Sequence, residues 1–320
     1  MIRLLANARI RTAQLEAIRA VSPELEVARP KDDAEAAELF REAEILFTYQ
    51  LPGPLANAPR LKWVQLTSAG AEHLLEAVQE GRPDLLVTTA SGIHRVPIAE
   101  FVVWAMITLS RRLGQVLRES SARQWQPQPP RFYYGEEIRG KTLGVLGLGA
   151  IGREVAAVGR AMGMRTLGFR RSGGSAEEAG VDGRFGPEGL DAMLPQCDFL
   201  VVTLPLTPET SGLLGERELR AMKPTGYLVN VARGAIVEQG ALVRALREGW
   251  IAGAALDVFA EEPIPESSEL WGLPNLVITP HLAGATMPYL ERATNVFIEN
   301  LRRYLAGGEM INLLDRKKGY

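Results

Sequence analysis

Three glycines, Gly147, Gly149 and Gly152, stand in G-x-G-x-x-G spacing within TLGVLGLGAIGREVA, after an apolar β-like run and before a helix-like one. In that context each glycine has a physical task. The first makes a tight turn, the second lets the backbone approach a pyrophosphate, and the third permits close helix-strand packing. The helix opens at Ala150 and Ile151, so its N-terminus faces the phosphates of a dinucleotide. The next β-like run ends at Phe169 and continues Arg170-Arg171-Ser172. A site specific for NAD ordinarily presents an acid there to the ribose 2′-hydroxyl. Two guanidinium groups and a hydroxyl suit a 2′-phosphate instead, through charge-assisted bonds. NADP is the expected cofactor. NAD stays open as the reading in which these arginines are solvated loop charges.

The elements that would carry such a site alternate along the chain. Short β-like runs at 3–6, 45–48, 63–66 and 86–89 are interspersed with helix-like segments such as 35–41, which is α/β patterning. Pro97 opens a single long helical stretch, 98 to about 119, apolar on almost every face, and the turn-rich segment 127–135 follows. A second alternating series then begins. Its β-like runs are 142–146, 165–169, 199–203, 227–230, 253–256 and 276–278, with a helix at 150–162 and a Gly-rich loop running through 189. The intervening segments have the length that parallel crossovers require. The expected fold is α/β, with two doubly wound parallel-sheet domains. The last helix, 287–305, is placed to return to the first domain and complete it. A Rossmann cofactor domain, 97–286, is thus expected as an insertion in a discontinuous, flavodoxin-like substrate domain, 1–96 and 287–320.

Composition narrows the partners. The chain has 320 residues, enough for two domains with real cores, and is 46% hydrophobic and 23% charged, as soluble globular proteins are. Its 36 basic and 38 acidic residues give a net charge of -2, so no nucleic-acid or membrane-surface partner is expected. A small molecule fits better. The single cysteine, Cys197, heads an apolar run and reads as a buried structural thiol, compatible with a reducing cytoplasm and offering no metal cluster. The N-terminal apolar stretch is interrupted by Arg9 and Arg11 and does not resemble a signal peptide. The most membrane-like run, 96–109, contains Pro97 and Glu100 and falls short of the roughly 20 residues a spanning helix needs. No repeat or low-complexity tract is present.

Three further segments, quoted as they stand, complete the pattern: LPLTPETSGLLG at 204–215, NVARGAIVEQGAL at 230–242, and LDVFAEEPIP with NLVITPHLAGAT at 256–265 and 275–286. Together with the glycine fingerprint they resemble, in order and spacing, the signature blocks of the D-isomer-specific 2-hydroxyacid dehydrogenases. The match covers nearly the whole chain, and the SAG at 68–70 resembles that family's substrate loop.

The resemblance implies that Arg233 binds and polarises a 2-oxo acid, that His281 is the acid/base, and that Glu262 supports His281. Glu261 is left as a bystander. The chemistry is consistent with this: reducing a ketone needs a hydride on one face and a proton at the oxygen, and histidine titrates nearest neutral pH. A carboxylate bonded to imidazole favours the imidazolium and orients it, while the planar guanidinium matches a 2-oxo carboxylate as lysine would not. The amides of Ala69 and Gly70 would hold the substrate carboxylate from the first domain, so that binding bridges both domains. Leu204, Pro205, Thr210 and Ala232 would line the cofactor, and Asp257 would bond the nicotinamide carboxamide. A buried Asp257 needs a partner, and a cofactor amide would supply one. His73 and His94, the other two of the chain's 3 histidines, read as structural hydrogen-bonding residues.

The activity so implied is NADPH-dependent reduction of a small 2-oxo acid of the glyoxylate or hydroxypyruvate type to the D-2-hydroxy acid. A homodimer through 96–112 is expected from family and apolarity. The substrate side chain would meet 51–54, the SAG loop and aromatic residues such as Trp125, Tyr133 or Tyr134. Two alternatives share the architecture: a dinucleotide-sensing corepressor that chiefly binds other proteins, and a formate or phosphite dehydrogenase.

Overall fold

The computed structural model describes residues 1–71, 73–74, 77–78, 82–122, 134–171 and 175–316. The chain divides into two compact units, Met1–His94 with Thr286–Tyr320, and Arg95–Ala285.

The first unit is built on five parallel strands, β1 (Ile2–Asn7), β2 (Leu25–Ala28), β3 (Ile45–Thr48), β4 (Trp63–Leu66) and β5 (Leu86–Thr88), in the order β2-β1-β3-β4-β5. That is the flavodoxin-like order. ILFT and WVQL are buried throughout, as strands covered on both faces must be. One cover is the helix Tyr289–Leu305, which buries Ala293, Phe297 and Leu301, one turn apart. Phe297 stacks on Phe47 with centroids 4.4 Å apart. Polar groups inside this layer are paired: Asn300 Nδ2 donates to Gln65 Oε1 at 2.9 Å, and the Thr88 hydroxyl donates to the same oxygen at 2.8 Å.

The second unit carries seven parallel strands, β6 (Thr142–Leu146), β7 (Arg165–Phe169), β8 (Gly183–Phe185), β9 (Phe199–Val202), β10 (Tyr227–Asn230), β11 (Gly253–Leu256) and β12 (Leu276–Ile278). Their order is β12-β11-β10-β9-β6-β7-β8. It reverses direction between β6 and β9, the switch point outside which doubly wound sheets bind ligands. Because every pairing is parallel, all the carboxyl ends open on one edge. Gly147, Arg170, Leu204, Arg233, Asp257 and His281 each follow a strand at that edge.

Both doubly wound parallel sheets are therefore present, with three departures from the sequence reading. The edge strand β2, LEVA, was not expected; with one exposed and three half-buried residues it has no apolar run to betray it. The edge strand β8, GRF, lies inside the supposed Gly-rich loop and is no more than half-buried. The helix expected across 98–119 is two helices, Arg95–Ser110 and Leu113–Ser121, separated by Arg112 in the left-handed region at φ 53°. The break coincides with a crossing of backbone: Glu136 N donates to Ser110 O at 3.0 Å, and a Cβ on Gly135 would lie 2.3 Å from that carbonyl. Among the described residues no helix is long and apolar enough to cross a membrane.

Candidate active site

The glycine turn follows β6. Gly147 has φ +104°, and a Cβ on it would come within 3.0 Å of Thr203 O and Leu204 N. Its carbonyl accepts the Thr203 hydroxyl at 2.7 Å and its amide donates to Phe169 O at 3.0 Å, so the turn is tied to β9 and β7. A Cβ on Gly152 would lie 1.8 Å from Gly147 O, so the helix Ala150–Ala161 seats directly against the turn. Gly149 differs: a Cβ there would meet nothing within 4 Å. The second glycine faces open space at the helix N-terminus, whose first turn holds no acidic residue. A helix N-terminus with open space at its second glycine has the form of a pyrophosphate cradle, and the residues present fit a dinucleotide.

Arg170 and Arg171 follow β7, with the Arg170 amide donating to Phe185 O of β8 at 3.0 Å. Ser172 lies outside the described residues, as do Trp125 and Tyr133. The loop after β9 is closed by Thr210, whose hydroxyl accepts Thr207 N at 2.8 Å and donates to Pro205 O at 2.7 Å. In the same loop Glu209 is held below the usual carboxylate range, first by the Thr207 hydroxyl, then by its own amide, and also by the charge of Arg171. Leu204 is half-buried and packs on the core, whereas Pro205 is exposed.

Arg233 sits three residues past the end of β10. Asn230, 1% exposed, accepts Ala232 N at 3.1 Å through Oδ1 and donates Nδ2 to Arg233 O at 3.0 Å. Arg233 is extended, at φ −140° and ψ 141°, and its Nη1 donates to Ala232 O at 2.8 Å. The following Gly234 lies against the loop that leads from β11 to Glu262: a Cβ on it would be 1.9 Å from Phe259 C and 2.3 Å from Ala260 N. Only glycine allows the two backbones to approach so closely.

His281 Nδ1 lies 2.8 Å from Glu262 Oε2, and Glu262 Oε1 accepts Phe259 N at 2.8 Å. Glu261 is exposed. His281 has φ 51°, uncommon for a residue with a Cβ, and the strain is held by Asp257. The Asp257 carbonyl accepts His281 N at 2.9 Å. Its carboxylate, 2% exposed, accepts the Thr279 hydroxyl at 2.6 Å, Leu282 N at 2.9 Å and Ala283 N at 2.8 Å. The partner sought for this buried charge in a cofactor amide is thus found first in the chain itself. Three of a carboxylate's roughly four acceptor directions are taken by the His281 segment.

In the first unit the loop Ser68-Ala69-Gly70 follows β4; Ser68 Oγ donates to Gly70 O at 2.7 Å and Ser68 O accepts Ala90 N at 2.8 Å. His73 Nε2 lies 2.7 Å from Tyr49 O and its ring stacks on Tyr49, while the His94 ring stacks on Tyr289. Tyr134, the remaining aromatic candidate, is exposed. Cys197 is fully buried, and burial pushes its thiol up to about 12.

Sequence reasoning did not single out Asn230. The signal available was a lone amide ending the apolar run YLVN, where a buried polar group must have partners.

The arrangement joins a phosphate cradle at the switch point to a hydrogen-bonded His-Glu pair and a guanidinium at the same sheet edge. Residues 103–283 match the family model described as D-isomer specific 2-hydroxyacid dehydrogenase, NAD binding domain. The chain is 39% identical over 290 residues to a glyoxylate reductase of Aeropyrum pernix, covering 87% of this chain and 84% of that protein. A crystal structure of a D-isomer specific 2-hydroxyacid dehydrogenase family protein from Aeromonas salmonicida superposes with TM-score 0.87 at 34% identity, covering 98% of this chain and 99% of that one. Another, from Xanthobacter autotrophicus Py2 in complex with NADPH and MES, has TM-score 0.81 at 31% identity, with 99% of each chain covered. The match to the family model spans more than half of the residues, the relatives span most of the remainder, and the chain belongs to the D-isomer specific 2-hydroxyacid dehydrogenase family.

Proposed function

We propose that this protein reduces a small 2-oxo acid, of the glyoxylate or hydroxypyruvate type, to the D-2-hydroxy acid, with NADPH preferred over NADH. The observation that carries the reading is the 2.8 Å contact between His281 Nδ1 and Glu262 Oε2. Glu262 accepts the Nδ1 proton, which leaves Nε2 as the position from which His281 delivers a proton to the substrate oxygen. Arg233 takes the substrate carboxylate in its planar fork and opposes the negative charge that builds on the oxygen during reduction. The amides of Ala69 and Gly70 are assigned to substrate binding. When bound, the dinucleotide supplies the hydride to the carbonyl carbon.

In this reading Arg95–Ala285 is the dinucleotide-binding unit, and Met1–His94 with Thr286–Tyr320 the substrate-binding one. Gly147, Gly149, Ala150, Ile151 and Gly152 form the pyrophosphate cradle. Arg170, Arg171 and Ser172 are assigned to the 2′-phosphate; the absence of an acid at the end of β7 supports this, as does the NADPH bound to the Xanthobacter relative. Leu204, Pro205, Thr210 and Ala232 line the cofactor, and the acceptor direction left on Asp257 Oδ2 takes the carboxamide. The substrate class rests on the glyoxylate reductase of Aeropyrum pernix. We further assign the enzyme to the cytoplasm, and its working form to a homodimer through 96–112, where Val96 and Trp104 are exposed.

Initial rates with NADPH and NADH against glyoxylate, hydroxypyruvate, pyruvate and phenylpyruvate test the reading. Turnover faster with NADPH supports it. Dinucleotide binding without turnover of any 2-oxo acid would move the protein to the sensing or binding class.

A further inference from the structure

We propose that Asn230 is a positioning residue for Arg233, acting through the main chain of the turn that carries it. The inference rests on reading Arg233 as the substrate-binding guanidinium. Asn230 closes β10, a strand otherwise made of Tyr227, Leu228 and Val229, and is 1% exposed. A buried primary amide is unfavourable unless both its ends are bonded. Here both are, and both partners belong to the Arg233 turn: Oδ1 accepts Ala232 N at 3.1 Å and Nδ2 donates to Arg233 O at 3.0 Å. Its own carbonyl accepts Asp257 N at 3.0 Å, anchoring the clasp to β11.

Arg233 is thereby fixed from two sides. Asn230 holds the amide before it and its own carbonyl, and on the far side Gly234 rests on Phe259 and Ala260. With the backbone pinned at φ −140° and ψ 141°, the direction in which the side chain leaves is set before any substrate arrives. The clasp demands one donor and one acceptor on a flat fork one carbon from the backbone, which only asparagine offers. Aspartate would set an acceptor against the Arg233 carbonyl, and alanine would leave the Ala232 amide and that carbonyl without their partner. A misplacement of about 1 Å at a substrate-orienting group can cost about 100-fold in rate.

The test uses Asn230→Asp and Asn230→Ala in the full chain, with two readouts. The first is hydrogen exchange of the Ala232 amide, with amides of β6 as internal control. The second is the KM and kcat for glyoxylate, with the NADPH dissociation constant measured by fluorescence. In Asn230→Ala we expect exchange at Ala232 to rise at least 10-fold with β6 unchanged, and KM to rise at least 10-fold with the NADPH constant within 2-fold. Asn230→Asp keeps an acceptor for Ala232 N, so in that variant the KM effect should persist with a smaller change in exchange. Unchanged Ala232 exchange in Asn230→Ala overturns the clasp. Raised exchange with an unaltered KM overturns the positioning role, and so does a KM that rises only in step with NADPH dissociation and β6 exchange. Failure of the wild-type chain to turn over any 2-oxo acid is a different result: it removes the reading of Arg233, while the exchange data still decide whether Asn230 holds the turn.

Discussion

Glu262 bonds at both ends of its carboxylate: Oε2 lies 2.8 Å from His281 Nδ1, and Oε1 accepts the Phe259 amide at 2.8 Å. The second bond is what makes the first directional, since a carboxylate pinned by a main-chain amide cannot swing with the ring. Phe259 is in turn the residue on which Gly234 rests, so the Glu262 segment and the Arg233 turn share one backbone contact. His281→Ala removes the proposed proton donor and should lower kcat by roughly 10²- to 10⁴-fold, the usual worth of general acid catalysis. Glu262→Gln keeps the shape but not the charge, and should fall between that variant and wild type. Steady-state kinetics on the three proteins decide it; Glu262→Gln at wild-type kcat would leave the pair without a catalytic role.

Cofactor preference is predicted to rest on the residues after β7. Hydrogen bonds to charged groups contribute about 1.5–3 kcal/mol each, so loss of one guanidinium from a 2′-phosphate should change affinity by roughly 10- to 100-fold. For Arg170→Asp the ratio of kcat/KM with NADPH to that with NADH should fall at least that far, because the new carboxylate both repels the phosphate and accepts a ribose hydroxyl. Arg171 already acts on Glu209, so Arg171→Ala should show a smaller loss. A ratio unmoved in both variants would place the 2′-phosphate elsewhere.

Much of this molecule was legible in its sequence, for physical reasons. Both parallel sheets could be read because their central strands are covered on two faces and so appear as unbroken apolar runs such as FLVV and ILFT. Of the four edge strands, β5 and β12 bury part of a largely apolar run, LVT and LVI, and are legible, whereas β2 and β8 bury no residue and carry no such run. The break at Arg112 was invisible because neither proline nor glycine marks it; the Ser110 carbonyl is taken by Glu136, a contact 26 residues distant in the chain. At the site, residue types and block order pointed to Arg233, Glu262 and His281. The side chains that hold their turns were harder to read. Asp257 was assigned outward to a ligand, whereas three of its bonds run to residues 279–283. Asn230 went unassigned, since a hydrogen bond to the main chain two or three residues on leaves little trace in spacing.

Cys197 gives a pH prediction with a definite sign. Burial raises its folded value to about 12, while an unfolded thiol titrates at about 8.5. A raised folded value contributes stability fully present below the unfolded pKa and lost as pH climbs between the two, because only the unfolded chain then releases its proton. Unfolding free energy should therefore decline from about pH 8.5 upward, and Cys197→Ala should remove this thiol's share of the slope. A chromogenic disulfide reagent at pH 8 should find no reactive thiol in the native protein and one in guanidinium chloride. Rapid native labelling would contradict the burial on which the argument stands.

Gly149 and Gly152 separate the two demands on a phosphate turn, fold and ligand, within four residues. A Cβ on Gly152 would lie 1.8 Å from Gly147 O and 2.8 Å from the Thr203 hydroxyl, and the nearer contact is rigid backbone. Gly152→Ala must therefore shift the helix Ala150–Ala161 off the turn, at a cost of about 1–3 kcal/mol as for other overpacked sites. Melting temperature and dinucleotide affinity should drop together. At Gly149 a Cβ would meet nothing within 4 Å, and φ −77° is open to any L-residue. Gly149→Ala should thus melt within a degree or two of wild type. The space its methyl would enter is the one assigned to the pyrophosphate, so binding of NADPH should weaken at least tenfold in a chain whose stability is intact. Thermal denaturation and a fluorescence titration on the two variants test the assignment directly. Wild-type affinity in Gly149→Ala would mean that the diphosphate does not approach the backbone at Gly149 and that the cradle lies elsewhere along the carboxyl edge of the sheet.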